Sequence, residues 1–356
     1  MARVVREGAK VYIEGVRRVT WDTGEMCEFA SALVSAMQAL GEDVPYDLVM
    51  GASGAAFRLT LNESIWSPGS FSIRSVCADP LEPARRAFRA VGRVLRAHEM
   101  GREAEDAAEI AASVERGVPV LAFGVVGPSD CSLVTGVDDG GATLLGWSTY
   151  QDIPDDHDVP PDATGYFRKP GWHANTRGYL LIGDPVARPP ARQACIEALR
   201  WAAELARQPA VGAMPAGLDA YRVWAEAMRR DRDFPAADEG ALGGPYLGIL
   251  CNLMMVDDRR AAVDYLRRQA AEQADLATDL LAAAGRYAET CRLREGLRAL
   301  LPEDFSPAAI RGLADPAMRA DYAGVLLRMR DTDEAATIHI DRCLARLEDG
   351  RDAPGR

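Results

Sequence analysis

The chain has 356 residues, enough for two domains at roughly 100–200 residues each. A net charge of −12 with the basic residues scattered among Asp and Glu repels phosphate backbones, which excludes nucleic acid as an expected partner. No apolar run reaches the roughly 18 residues of a membrane span, and the polar Met1–Lys10 segment lacks the apolar stretch of a signal peptide, so a cytoplasmic protein with no membrane contact is expected.

In chain order, Lys10-Val11-Tyr12-Ile13 is a short strand. Phe29, Leu33, Ala36, Met37 and Leu40 recur at helical spacing and predict a helix over 29–40, headed by Cys27 and closed by Gly41. A second short helix over 44–50 follows, with Pro45 in its first turn. Gly51-Ala52-Ser53-Gly54 then makes a small-residue turn against the Cys27 helix, leading into a strand near Leu59. Residues 83–115 read as one long helix or two, broken near Gly101. Strands are expected over 118–123, 131–137, 142–147 and 178–183, with a hairpin turn at Asp139-Gly140-Gly141. Residues 151–165 form a polar, proline-broken loop. Beyond Ala187-Arg188-Pro189-Pro190 the composition turns Ala-, Leu- and Arg-rich, and helices are expected over 191–207, 217–231, 245–256, 258–273, 275–300 and 315–347. Leu218, Tyr221, Trp224 and Ala225 share a helical face, expected to dock on the first domain. The organisation is thus an α+β domain at 1–186, an α-helical bundle at 190–349 and a disordered tail at 350–356.

Cys27 is the residue with the most chemistry in its position. A thiol at a helix N-terminus feels the positive end of the dipole, which favours thiolate, yet free Cys is also among the most buried residue types. The order of the segments resembles papain-like folds, and residues 21–185 resemble the N-terminal domain of the butirosin biosynthesis protein H family and the wider C39-peptidase-like group. The resemblance rests on Cys27 at the helix start, Gly41, Leu48–Phe57, Gly117-Val118-Pro119-Val120 and Leu133-Val134-Thr135-Gly136-Val137-Asp138-Asp139-Gly140. It implies a papain-like domain and, in active members, acyl or peptidyl transfer through a cysteine thioester.

The chain departs from that pattern where the chemistry is done. The position of the family's histidine reads Ser129-Asp130-Cys131-Ser132, that of its Asp or Asn reads Trp147-Ser148, and Trp21 stands where an oxyanion-holding Gln precedes the cysteine. A thiol without base or oxyanion donor is a poor acyl-transfer catalyst. The expected function is therefore a degenerate relative that binds a small molecule, peptide or acyl carrier in the former cleft. The alternatives are an active enzyme using Cys27 with Asp130 or His173 as relocated base, and a purely structural role. Trp21, Glu25, Ser53, Cys131 and Trp147 are expected to line the cleft.

No metal or cofactor is expected. The seven cysteines show no C-x-x-C and no zinc spacing, which reads as reduced thiols. Only four histidines are present, and His157 sits in Asp155-Asp156-His157-Asp158, which reads as a solvated loop with a weak divalent-cation site as its alternative. The 51–54 turn lacks the lysine and the strand-to-helix setting of a phosphate cradle.

Overall fold

The computed structural model describes residues 2–67, 72–128, 130–151, 153, 159–235 and 238–349. The expected tail at 350–356 and the whole of the 155–158 loop, with its cation-site alternative, lie outside the described residues. The chain divides into two units, 1–49 with 84–189, and 50–83 with 190–356. Residues 50–83, expected in the first domain, thus belong with the helical one.

In the first unit, β1 (Arg3–Glu7) and β2 (Lys10–Glu14) form a hairpin, α1 (Glu28–Ala39) follows, and α2 (Tyr46–Ser53) runs across the division. Then come α3 (Glu82–Val91), β3 (Arg93–Glu99), α4 (Glu103–Glu115), β4 (Val120–Phe123), β5 (Cys131–Asp138), β6 (Thr143–Trp147), β7 (Phe167–Pro170) and β8 (Gly178–Pro185). All strand pairs are antiparallel. The sheet runs β1-β2-β5-β4-β8-β3, with β6 and β7 continuing from the other edge of β5.

Two differences from the sequence reading matter for the site. Residues 93–99 are an edge strand and not helix, because Gly92 takes a left-handed φ of 74° that ends α3 and turns the chain onto β8. And α1 is buried on all sides from Glu28 to Met37, with Leu40 half-buried at its end, where a single apolar face was expected. Its buried serines are served from outside the helix: Arg17 donates to Ser35 Oγ at 3.1 Å and Ser31 donates to Glu25 at 2.7 Å. Gly41, at φ 82°, closes α1 as expected, with the Glu42 N–H reaching back to the Met37 carbonyl at 2.9 Å.

The second unit contains α5 (Ala191–Arg207), a two-stranded hairpin of β9 (Ala210–Val211) and β10 (Met214–Pro215), α6 (Gly217–Met228), α7 (Glu239–Asp257), α8 (Arg259–Glu272), α9 (Ala277–Leu300), α10 (Pro307–Gly312) and α11 (Pro316–Asp349). Residues 54–59 form no strand. The Gly51 and Gly54 turn packs on Tyr265 and Trp201 of this unit, where packing on the Cys27 helix was expected. A Cβ at Gly51 would stand 2.4 Å from the Tyr265 ring and one at Gly54 2.3 Å from the Trp201 indole nitrogen. The α6 face expected to dock on the first domain is also internal to this unit, with Trp224 on Tyr322 and the Tyr221 hydroxyl donating to Asp333 at 3.0 Å. Asp333 also accepts from the buried Arg259 guanidinium at 2.8 Å, and Arg259 in turn donates to the carbonyls of Ala56 and Arg58. Those two bonds explain why the 50–83 segment folds with the helices: a buried cation holds its backbone.

Among the described residues, no helix is long and apolar enough to cross a membrane.

Candidate functional site

Cys27 is the N-cap residue of α1 and is buried, 1% exposed. The orphan N–H groups at a helix start are what an acyl-transfer site would aim at a developing oxyanion. Here the Cys27 N–H donates to the Tyr46 hydroxyl at 3.0 Å, so that donor is already engaged.

The Cys131 thiol stands close to Cys27, Glu28 and Asp130. Burial pushes the Cys131 thiol well above its usual range, and Cys27, Glu28 and Asp130 push it the same way. Glu28 and Asp130 are themselves buried. The Trp21 indole donates to Glu28 Oε1 at 3.1 Å, the Tyr150 hydroxyl donates to Asp130 Oδ2 at 3.0 Å, and the two rings meet edge to face at 5.1 Å. Trp21, Cys27, Asp130 and Cys131 are thus brought into one cluster. Glu28, Tyr46 and Tyr150 belong to it and were missed. A glutamate in a first helical turn is ordinary dipole chemistry, and a tyrosine 20 residues beyond its carboxylate leaves no local pattern.

Glu25 and Trp147 stand at the margins. Glu25 takes both nitrogens of the Arg17 fork, at 3.0 and 2.6 Å, and so ties the segment ahead of Cys27 to α1 through Ser31. Trp147 pairs across the sheet with Leu133, two residues along β5 from Cys131, and therefore shares its face. Its indole donates to the Val16 carbonyl at 3.1 Å and its ring stands edge-on to Tyr166 at 4.7 Å. Ser53 lies in the other unit, where its carbonyl accepts from Trp201 at 3.2 Å.

His173 is not brought to Cys27. The sheet register shows why. Cys131 pairs with Phe123, while the next residue, Ser132, pairs with Ala122, Ala122 with Tyr179 and Tyr179 with His98. Neighbours along a strand point to opposite faces, so Tyr179 and His98 stand on the face away from Cys131. The Tyr179 hydroxyl reaches Asp106 of α4 at 3.1 Å, and His173 Nε2 sits 2.9 Å from the other oxygen of Asp106. The imidazole expected as a relocated base is therefore spent on α4, behind the sheet. Of the other described histidines, His98 is on the same far face and His339 lies in the helical unit, 3.1 Å from Asp279. No group of His, Cys, Asp and Glu among the described residues could hold a metal ion. None of the seven cysteines is cross-linked.

No protein-family model matches the chain, and no curated protein matches it.

Proposed function

We propose that the first unit is a papain-like domain of the C39 and butirosin protein H type in which thiol acyl transfer has lapsed, and that the former cleft binds a small molecule, a peptide or an acyl carrier. The observation that carries this reading is the state of the helix start. The Cys27 N–H is already bonded to Tyr46, and the Cys131 thiol and the Glu28 and Asp130 carboxyls lie in the same cluster. Negative neighbours oppose a thiolate, and an occupied donor offers nothing to an oxyanion. Each missing component removes several kcal/mol of transition-state stabilisation, on the order of 3 kcal/mol for one oxyanion donor. The aromatic pair of Trp21 and Tyr150 beside two buried carboxyls suits recognition better than turnover.

The reading is tested by incubating the protein with the acetyl thioester of N-acetylcysteamine and recording its intact mass. The expected result is no acyl adduct beyond that of Cys27→Ala. A Cys27-dependent adduct that turns over would restore the active-enzyme alternative, with Asp130 as the first candidate base.

A further inference from the structure

The β1 edge of the sheet carries a pattern unrelated to Cys27 and independent of the function proposed for it. Gly8 and Ala9 join β1 to β2, with Gly8 at φ 64°, and Glu7 lies opposite Lys10. A two-residue turn of this kind is closed by a hydrogen-bonded pair, and such pairs alternate along an antiparallel ladder. Glu7, Val5 and Arg3 therefore turn their backbone N–H and C=O groups to β2, while Val4 and Arg6 turn theirs outward. The same parity turns the carbonyl of Ile13, opposite Val4, away from β1, and there the Tyr166 hydroxyl donates to it at 2.6 Å. Among the described residues β1 pairs with β2 alone, so the outward groups of Val4 and Arg6 line an open edge.

This edge is complementary to itself under a two-fold rotation. When β1 lies antiparallel to a second β1 with Val5 opposite Val5, Val4 of each copy stands opposite Arg6 of the other. Their outward groups then exchange hydrogen bonds as an antiparallel pair does. Arg3 stands opposite the partner's Glu7. Within one chain Arg3 already holds Glu14 at 2.6 Å, and Glu7 lies opposite Lys10. One row across the four strands thus reads Glu14, Arg3, the partner's Glu7 and the partner's Lys10, with the charge alternating at every step. An identical row lies across the axis. Opposite charges facing each other across strands stabilise a pairing and like charges oppose it. At the centre, Val5 is half-buried against the cluster of Tyr12 and Tyr166, and the partner's Val5 extends that apolar row. The neighbouring registers that keep the outward groups paired set Val4 on Val4 or Arg6 on Arg6, and both part Arg3 from Glu7.

We propose that β1 is a self-association edge, through which two copies of this chain pair antiparallel about Val5 and join their sheets across a two-fold axis. The main chain supplies the attraction, as in strand addition to any open sheet edge, and the Arg3–Glu7 pairs fix the register. The interface is isologous, so it closes at two copies. Arg3 and Arg6 are within a partner's reach, with side chains 75% and 57% exposed. β1 is five residues long, and a pairing of that length falls short of the roughly 1,000 Å² of a stable interface, so the dimer is weak and depends on concentration.

Sedimentation equilibrium of the full chain from about 10 µM to about 1 mM tests this. The expected result is an average mass that rises with concentration towards twice that of one chain. Arg3→Glu and Glu7→Arg each set like charges against each other in their own pairing, and each is expected to move the midpoint roughly tenfold higher. Mixed in equal amounts, the two variants are expected to associate as readily as the unaltered protein, because the acids of one copy then face the bases of the other. A single-chain mass at every concentration would overturn the proposal. So would association that neither substitution weakens, or a mixture that associates no better than its two components alone.

Discussion

The two faces of the antiparallel sheet hold opposite chemistries. On the α1 face stand two buried thiols with two buried carboxyls, two aromatic rings and an N–H already bonded. On the α4 face stand two half-buried imidazoles, each on a carboxylate. A thiol and an imidazole can act as nucleophile and base only on one face, and the register of β4, β5 and β8 turns Cys131 to one face and Tyr179 and His98 to the other. Carrying thiols and imidazoles in one domain does not by itself bring them together. The parity of a strand, one residue earlier or later, decides which groups can meet.

Two substitutions break the comparison from its opposite sides. Leu33 is fully buried in α1, so Leu33→Ala is expected to lower stability by roughly 2–5 kcal/mol, measured by chemical denaturation. A loss under about 1 kcal/mol would show that the α1 face is not packed as described. On the α4 face, Tyr179→Phe keeps the buried ring and removes the hydroxyl set between Asp106 and Glu109. The expected loss is smaller, about 1–3 kcal/mol, because a largely buried carboxylate loses a donor. A loss under about 0.5 kcal/mol would show that the Tyr179 hydroxyl is not a needed donor to these carboxylates.

Much of this contrast was legible in the sequence, and the rest was hidden for definite reasons. Cys27 at a helix start, Gly41 at its end, the buried strands around Leu121 and Leu133, and the helices after residue 190 all carry local signals: apolar period, capping glycine, turn residues. The edge strand over 93–99 did not. Arg93, Arg96, His98 and Glu99 extend the charged composition of the helices around it, because an edge strand exposes much of its surface to water. That miss concealed the α4-face cluster, since His98 has meaning only opposite Tyr179. The assignment of 50–83 to the helical unit was out of reach for another reason. It depends on Arg259 reaching carbonyls about 200 residues back, and a long-range bond leaves no period to read. The pairing of Asp130 with Tyr150 is of the same kind.

The central claim, that the environment of Cys27 does not support a reactive thiolate, is tested most directly by the pH dependence of its alkylation with iodoacetamide, read by peptide mass with Cys27→Ala as background. With the Cys131 thiol and the Glu28 and Asp130 carboxyls in its cluster, Cys27 is expected to react slowly near neutral pH and to speed up only at alkaline pH, above about 8, where an ordinary thiol ionises. A rate already at its plateau below about pH 6 would mean that a cation stands beside the thiol, and would contradict the account.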